Sequence, residues 1–359
     1  MGQLFSCQPV AFKVYKYYKL IAEGRSLRAT SIDNSRSFMM RILALVPGGI
    51  GDQILFFPTL DDLKQSYPEA QIDVIVEPRA KGAYRVCKSV KEVLTYNFKD
   101  RNAMADLGNL LGVIRDREYD AVISLGQRWT VGLLLWLTGI PQRVGYSGTN
   151  GARFLTAAVP LKTEQYAASM YHDLLQGFNI KNACPAIAIN VPKQDIQWAE
   201  AEQQRLGVKE SGYILIHGGS SQLALSKGID KIYPTDNWKQ IINDCQQRQP
   251  NLPVVVVKGP EDEEFVTKLV ELCPNVKVIS PDDVGKLAAT IAAANLMICT
   301  DSAPMHLAVA VQTYTIALFG PTEPAKLLPK SDRFLGIKSP TGNMADISPQ
   351  EVLKKVWGG

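Results

Sequence analysis

The apolar positions of this chain fall into short runs that alternate with longer amphipathic stretches. Such alternation is typical of strands that are joined by helices and form a parallel sheet buried on both faces. From residue 40 onward, the first series of runs predicts strands at Arg41–Val46, Ile72–Glu77, Glu92–Asn97, Asp120–Leu125 and Arg143–Ser147.

A second series of the same kind follows a proline-punctuated stretch around residues 185–195. A helical run that ends on Gly207 opens it, and a final helix is predicted at Ser348–Trp357. The sequence therefore predicts two doubly wound α/β domains that face each other across a cleft, with ligands at the carboxyl ends of the strands. The predicted strands are Tyr213–Gly219, Pro253–Pro260, Val276–Ser280, Leu296–Ser302 and Tyr314–Pro321.

Residues 1–38 do not share this pattern. They hold six Lys or Arg and two acids, which accounts for the whole formal net charge of +4. The body is neutral overall, so charge gives no support to nucleic-acid binding. The extension is interpreted as a dispensable leader or, since lysines alternate with aromatic residues in it, as a segment that contacts a membrane surface.

We place the two domains at residues 39–188 and 189–340, followed by a C-terminal helix at 341–359.

Cysteine spacing and hydropathy narrow the class of protein further. The six cysteines lack a CxxC pair and any histidine at metal-ligand spacing, which indicates reduced thiols and no zinc site. No run approaches the ~18–20 apolar residues of a membrane-spanning helix. We expect a cytoplasmic protein, with the inner face of the plasma membrane as an alternative position.

A glycine-rich turn after the first predicted strand ends in a carboxylate. Gly48, Gly49 and Gly51 permit a tight turn and the close approach of a ligand, and Asp52 follows at once. A dinucleotide-binding loop would place pyrophosphate there, and a carboxylate repels it. A dinucleotide-dependent oxidoreductase is therefore the weaker alternative, supported only by Glu77 at the end of the second predicted strand. A simple helix cap is the alternative role for Asp52.

The stretch CTDSAPMHLAVAVQTYTIALFGPTEP predicts an anion site in the second domain. Ser302 is expected to cap a helix that Ala303 and Pro304 open, and the free amides of its first turn favour a phosphate. The small Ala303 allows a diphosphate to approach the backbone. His306 can donate to a phosphate oxygen, and Thr322 reaches the same rim after the next strand. An ordinary capped helix with a buried histidine is the alternative.

A second backbone-rich anion nest is predicted at residues 218–221, which include Ser220. Lys227 or Lys231 could then reach a phosphate. Either lysine alone is more often a solvated surface residue, so this prediction depends on the other motifs.

Together these stretches resemble glycosyltransferase family 9, the ADP-heptose:lipopolysaccharide heptosyltransferase family, which has the GT-B fold. The resemblance spans roughly residues 40–329 and is most specific in DSAPMHLAVAVQTYTIALFGPTEP. Two positions depart from the family pattern. Gly218 replaces the usual proline after His217, and Tyr233 replaces the usual tryptophan before Pro234. These departures leave the base and the sugar of the donor open.

The resemblance also implies roles for individual residues. Asp52 is implied as the general base, with Gly49 and Gly51 in the acceptor-side loop. Lys231 is implied to contact the phosphates of the donor. An acid that follows KGP, either Glu261 or Glu263, is implied to hold the ribose. The donor side is completed by Ser220, Asp301, Ser302, Ala303, Met305, His306 and Thr322.

The expected function is inverting, metal-independent transfer of heptose or a similar sugar. The expected donor is a nucleoside-diphosphate sugar such as ADP-heptose, and the acceptor is a lipopolysaccharide core or another cell-surface glycan. No D-x-D motif lies at a strand end, so neither a metal nor another cofactor is expected. The expected partners are the donor and a lipid-linked or cell-surface glycan, with peripheral membrane contact and no nucleic acid. A nucleotide-sugar-binding protein without catalysis is the alternative, and the presence of both Asp52 and Lys231 argues against it.

Overall fold

A computed structural model describes residues 39–98, 104–219 and 231–358 of the chain. The basic extension at residues 1–38 and two predicted phosphate-site residues, Ser220 and Lys227, lie outside the described residues. Residues 40–359 form one compact unit, and two parallel six-stranded sheets lie within it.

The first sheet has the spatial order β3-β2-β1-β4-β5-β6, and its paired strands are parallel. Its strands are β1 (Arg41–Val46), β2 (Gln71–Val76), β3 (Glu92–Thr95), β4 (Ala121–Ser124), β5 (Gln142–Tyr146) and β6 (Ala157–Val159). The α-helices of this half are α1 (Ile50–Ser66), α2 (Met104–Asp116), α3 (Trp129–Thr138) and α4 (Ala167–His172). Short 3₁₀ helices occur at Pro78–Val86, Ala152–Phe154 and Asp173–Phe178.

The second sheet repeats this arrangement with the order β9-β8-β7-β10-β11-β12. Its strands are β7 (Ile214–His217), β8 (Val254–Val257), β9 (Lys277–Ile279), β10 (Leu296–Thr300), β11 (Thr315–Phe319) and β12 (Phe334–Lys338). Helix α5 (Lys193–Leu206) precedes this sheet. The later helices are α6 (Thr235–Arg248), α7 (Glu263–Leu272), α8 (Val284–Ala292), α9 (Ala303–Ala310), α10 (Pro324–Leu327) and α11 (Pro349–Val356), with a 3₁₀ helix at Met344–Asp346.

Both halves have the strand order in which the direction of winding reverses beside the first strand. In such sheets ligands bind outside the carboxyl ends of the strands at the reversal. The reversal lies between β1 and β4 in the first half, and between β7 and β10 in the second. The turns after these strands are therefore the expected site, and the prediction of two doubly wound domains is confirmed.

The central strands match the sequence prediction, whereas two edge strands were not predicted. Strand β1 has the predicted bounds, and residues Ile42–Val46 are almost completely buried. Strand β6 is only three residues long, with two alanines, and β12 contains Gly336. Edge strands are buried less than central ones, so their sequences carry a weaker apolar run.

The predicted helix ends are also observed. Helix α5 stops at Gly207, which has the left-handed φ of 64° that favours glycine at a helix C-terminus. Helix α11 begins after Ser348, whose hydroxyl accepts a hydrogen bond from the Gln350 amide. Over the part of the chain that the structure describes, no helix combines the length and the apolar character needed to cross a bilayer.

Candidate active site

A cavity of about 1490 Å³ lies where the two sheets face each other, and both contribute to its wall. The first half contributes the turn after β1, which includes Asp52. The second half contributes Lys231, Asp301 and the start of α9. Residues far apart in sequence thus meet at the strand ends that the topology selects.

The turn after β1 has a conformation that requires glycine. Gly48 has a φ of 136°, which side chains rarely adopt, and a Cβ at that position would lie 2.7 Å from Cγ of Asp52. Helix α1 then starts at Ile50, with Asp52 in its first turn. The Oδ2 atom of Asp52 accepts a hydrogen bond of 2.8 Å from the Gly49 amide. The capping role considered for Asp52 is therefore present, although the residue stands inside the helix.

The second carboxylate oxygen of Asp52 is held by a residue that the sequence did not indicate. The hydroxyl of Tyr171, in α4, donates to Oδ1 over 3.1 Å. Burial, and then the nearby charge of Asp52, raises the pKa of Tyr171 well above its ordinary value, so the hydroxyl stays protonated. Two donors thus fix the carboxylate, and each oxygen retains a lone pair for a third partner. An isolated tyrosine 119 positions from Asp52 carries no sequence signal.

On the facing wall, Asp301 holds Lys231 in place. The Lys231 ammonium lies 2.6 Å from Oδ2 of Asp301, and the Thr322 hydroxyl donates to the same oxygen over 2.5 Å. Asp301 is 3% exposed, whereas Lys231 is half-buried in the cavity wall. The predicted donor-side residues Asp301 and Thr322 therefore orient a cation, which is free to meet a ligand on its cavity side.

Ser302 occupies the predicted cap position of α9, but its hydroxyl does not make the predicted cap bond. It donates instead to the Thr300 carbonyl over 3.3 Å and lies 3.3 Å from Nδ1 of His217. Pro304 has no amide hydrogen and the Met305 amide donates to the Ser302 carbonyl over 3.1 Å, so the Ala303 amide, in the cavity wall, is the first-turn donor that lacks a side-chain cap. This amide and the helix dipole favour an anion at this end.

The N-termini of α1 and α9 meet at Gly51 and His306. A Cβ on Gly51 would lie 3.0 Å from Cδ2 and 3.4 Å from Nε2 of His306. His306 is 4% exposed, and its Nδ1 has no hydrogen-bond partner within the described ranges. Burial lowers the pKa of His306 below its ordinary value, against the opposing charges of Asp301 and Asp52. At neutral pH this residue can supply an N–H donor without a positive charge.

Three of the residues implied for the donor side do not line the cavity. Thr322 contacts Asp301 but is not itself part of the wall. Met305 is fully buried in the hydrophobic core, and Glu263 forms an ion pair of 2.7 Å with Lys258 at the surface. Glu261 lies in the cavity wall, so the geometry favours it over Glu263 for a ribose contact. The next residue, Asp262, also lines the cavity and accepts a hydrogen bond of 2.9 Å from the Gly259 amide.

The first half adds an extended apolar wall that sequence analysis missed. Helix α3 reads WTVGLLLWLT, yet Trp129 at its start is 51% exposed, which is unusual for so apolar a helix. The apolar sequence of α3 was the signal from which this wall could have been predicted. Arg79 and Arg128 line the same cavity. The apolar wall comprises Phe98, Leu107, Leu111, Trp129, Leu133, Leu134 and Leu137.

Comparison with known proteins gives one family. The family described as "Glycosyltransferase family 9 (heptosyltransferase)" matches residues 108–357. The chain is 26% identical over 340 residues to "Photosynthetic NDH subunit of subcomplex B 1, chloroplastic" of Arabidopsis thaliana, which covers 87% of this chain and 72% of that protein. It is 25% identical over 289 residues to "Lipopolysaccharide heptosyltransferase 3" of Escherichia coli, with 76% and 81% covered.

Solved structures show the same fold. The glycosyltransferase family 9 protein of Veillonella parvula superposes with a TM-score of 0.76 at 21% identity, covering 91% of this chain and 99% of that one. The heptosyltransferase WaaC of E. coli with ADP-2-deoxy-2-fluoro heptose gives a TM-score of 0.70 at 18% identity, covering 89% and 99%. These matches identify the two facing sheets as a GT-B fold. Since the family match extends over well more than half of its length, the chain belongs to glycosyltransferase family 9 and is a glycosyltransferase.

Proposed function

We propose that this glycosyltransferase moves heptose or a closely similar sugar from ADP-heptose to a lipopolysaccharide core or another cell-surface glycan, with inversion and without a metal. The observation that carries the proposal is the presence of Asp52 and Lys231 on facing walls of one cavity. The choice of donor and acceptor is supported by the printed descriptions of two similar proteins: an E. coli lipopolysaccharide heptosyltransferase, and a heptosyltransferase structure that contains an ADP-heptose analogue.

In the proposed reaction an acceptor hydroxyl attacks the anomeric carbon of the donor from the face opposite to the diphosphate. The new C–O bond forms as the bond to the diphosphate oxygen breaks, and ADP leaves. Asp52 takes the hydroxyl proton late in the step as the general base. Its hydrogen bonds to the Gly49 amide and the Tyr171 hydroxyl fix the direction in which it accepts that proton.

The negative charge that develops on the leaving ADP requires stabilisation. Lys231, Ala303 with the first amide of α9, and His306 line the wall that we propose for the donor. Preorganised donors of this kind contribute about 3–4 kcal/mol each to the transition state. We propose that these groups meet the charge without a bound metal, and that Glu261 contacts the ribose.

The acceptor side of the cavity combines apolar and cationic groups. The apolar wall around Trp129 and Leu134 offers contact to the lipid portion of an acceptor, and Arg79 and Arg128 offer donors to its acidic or phosphorylated sugars. A lipid-linked glycan matches both features. An enzyme with such an acceptor works beside a membrane, and we therefore propose peripheral contact with the cytoplasmic face of one.

The test is ADP release from ADP-heptose with lipopolysaccharide of truncated core as the acceptor probe. We expect Asp52→Asn to lower kcat by about 10²–10⁴-fold, because proton transfer loses its base. The Kd for ADP, measured by calorimetry, should stay within about twofold of wild type.

Substitution Lys231→Met provides the contrast, since it should weaken ADP binding directly. Excess EDTA should leave the wild-type rate unchanged. Full turnover by the Asp52→Asn variant would refute the assigned role.

A second candidate is a nucleotide-sugar-binding subunit without transfer activity. The Arabidopsis relative favours it, because that protein is described as a subunit of a photosynthetic complex and not as a transferase. Such a protein would bind ADP in the calorimetric experiment and would release none from ADP-heptose with any acceptor. The retained pair of Asp52 and Lys231 favours the enzyme.

A further inference from the structure

Glu77 is a buried carboxylate in the cavity wall. It directly follows β2 and is 3% exposed, and its Oε1 has no hydrogen-bond partner in the part of the chain that is described. It stands at the cap position before the 3₁₀ helix Pro78–Val86, where an acid commonly accepts a backbone amide, yet its side chain makes no cap bond. A role in capping this helix is thereby excluded.

Another buried acid, which lies in β2 four residues before Glu77, provides a comparison. Asp73 is 1% exposed and lies outside the cavity wall. Although its Oδ1 also lacks a partner, its Oδ2 accepts a hydrogen bond of 2.8 Å from Tyr119 and lies 3.6 Å from the Arg41 guanidinium. Asp73 is therefore anchored by fold contacts. A buried carboxylate without such contacts is costly, and groups of this kind are found where a ligand completes the pairing.

The position of Glu77 is set by the pairing of β1 with β2. Val46 and Val76 are register partners, so the turn that leads to Asp52 and the turn that holds Glu77 leave the sheet side by side. A Cβ on Gly49 would lie 3.7 Å from a guanidinium nitrogen of Arg79 and 4.0 Å from Oδ2 of Asp52. Arg79 and Asp52 thus flank the same glycine, and all of these groups line one cavity.

We infer that Glu77 and Arg79 form a subsite that binds hydroxyl groups of the acceptor sugar beside Asp52. A carboxylate offers two acceptor oxygens to neighbouring hydroxyls, and a guanidinium offers several donors to ring, hydroxyl or carboxylate oxygens. Phosphate cannot occupy the Glu77 side because two anions repel, which assigns that side to a neutral polyhydroxylated ring. The inference rests on the proposed function and adds a residue that selects and positions the acceptor.

The experiment measures transfer from ADP-heptose to deacylated lipopolysaccharide core oligosaccharide, with donor and acceptor varied separately. We expect Glu77→Gln to raise the KM for the oligosaccharide about tenfold, the effect of losing one charged hydrogen bond, and Glu77→Ala to raise it further. The KM for ADP-heptose should stay the same. The Tm of the Glu77→Gln variant should equal or exceed that of wild type, since an unpaired buried charge has been removed.

Asp73→Asn, in β2, is the matched control. It should lower the Tm, because the contacts with Tyr119 and Arg41 weaken, and it should leave the KM for the oligosaccharide unchanged. A lower Tm with an unchanged acceptor KM in Glu77→Gln would make Glu77 structural and overturn the inference. An equal rise in both KM values would overturn it as well. If the wild-type chain transfers no sugar at all, the proposed function fails and this inference fails with it.

Discussion

The orientation of the Asp52 carboxylate depends on a few individual residues. Gly48 must be glycine for two separate reasons, its φ of 136° and the space that Asp52 fills beside it. The amide of Gly49 and the hydroxyl of Tyr171 then hold the two carboxylate oxygens. Gly48 leaves the space for the carboxylate, and the two hydrogen bonds from Gly49 and Tyr171 fix its direction.

Comparing Gly48→Ala with Gly139→Ala separates the effect of backbone strain from the effect of displacing the Asp52 carboxylate. We expect it to lower kcat about 100-fold, because a Cβ would push Asp52 out of position. The strain of the left-handed backbone should cost a further ~1–2 kcal/mol of stability. Gly139→Ala is the control, since Gly139 has a φ of 78° but open space around it. It should lose stability and keep its activity. Equal activity in both variants would contradict this account.

Sequence reasoning proposed site residues on three separate stretches of the chain. Asp52, Lys231 and His306 come from these stretches, and the structure places all three in the wall of one cavity, while the role of each stays a prediction. It could not find Tyr171, because that contact joins positions 119 residues apart and no local pattern encodes it. It also could not tell that Met305 faces the core while the next residue faces the cavity, since the predicted helix is apolar on all sides.

At the scale of elements, one arginine joins three segments behind the cleft. Arg85, in the 3₁₀ helix after β2, donates to both carboxylate oxygens of Asp195 over 2.9 Å and 2.6 Å. It also lies 3.3 Å from Asp283, the cap residue of α8. Asp195 belongs to α5 and is completely buried. The pair therefore ties the first sheet to the helices that lead into the second, and Arg85 is committed to the fold.

We expect Arg85→Gln to lower the Tm clearly, because Asp195 becomes a buried charge without a partner. Adding Asp195→Asn should restore part of the lost stability. The wild type, the two single variants and the double variant form a double-mutant cycle that isolates the interaction of Arg85 with Asp195. The matched control is Arg117→Gln, whose partner Glu92 is 47% exposed, so the Tm should change little. Equal losses for the two arginines would show that burial of the acid does not matter.

The order of elements was largely readable because both sheets follow the same pattern of buried runs. Strand β10 begins at the predicted Leu296, and β1 has both predicted ends. Strand β6 was missed because three residues with two alanines do not stand out from a loop. The bidentate pair of Arg85 with Asp195 was not predicted either, since a lone arginine in a basic stretch gives no hint of a partner 110 positions away.

At the scale of the whole molecule, the stability of the fold is linked to pH through His306. Its folded-state pKa lies below the ordinary value because of burial. Between the folded and the unfolded pKa the unfolded chain binds more protons, so the free energy of unfolding falls as the pH drops through about 6.5. Protonation would place a charge where the two halves of the chain meet.

We expect the Tm of the wild-type chain to fall more steeply between pH 7 and pH 5 than that of a His306→Asn variant, because asparagine does not titrate. The measurement is a series of thermal melts in buffers of equal ionic strength, without ligand. The two other histidines are present in both proteins, so their contributions cancel in the comparison. Parallel curves for the two proteins would show that His306 is not the linked group.

The contact between Gly51 and His306 also constrains how this protein can be recombined with its relatives. A chimera that joins the first half of this chain to the second half of another would bring together two surfaces from different proteins. Since a Cβ on residue 51 would lie only 3.0 Å from the imidazole, the two positions have to be inherited as a pair. The second half can therefore be exchanged only for one whose residue at position 306 fits against Gly51, or together with a residue 51 that matches it.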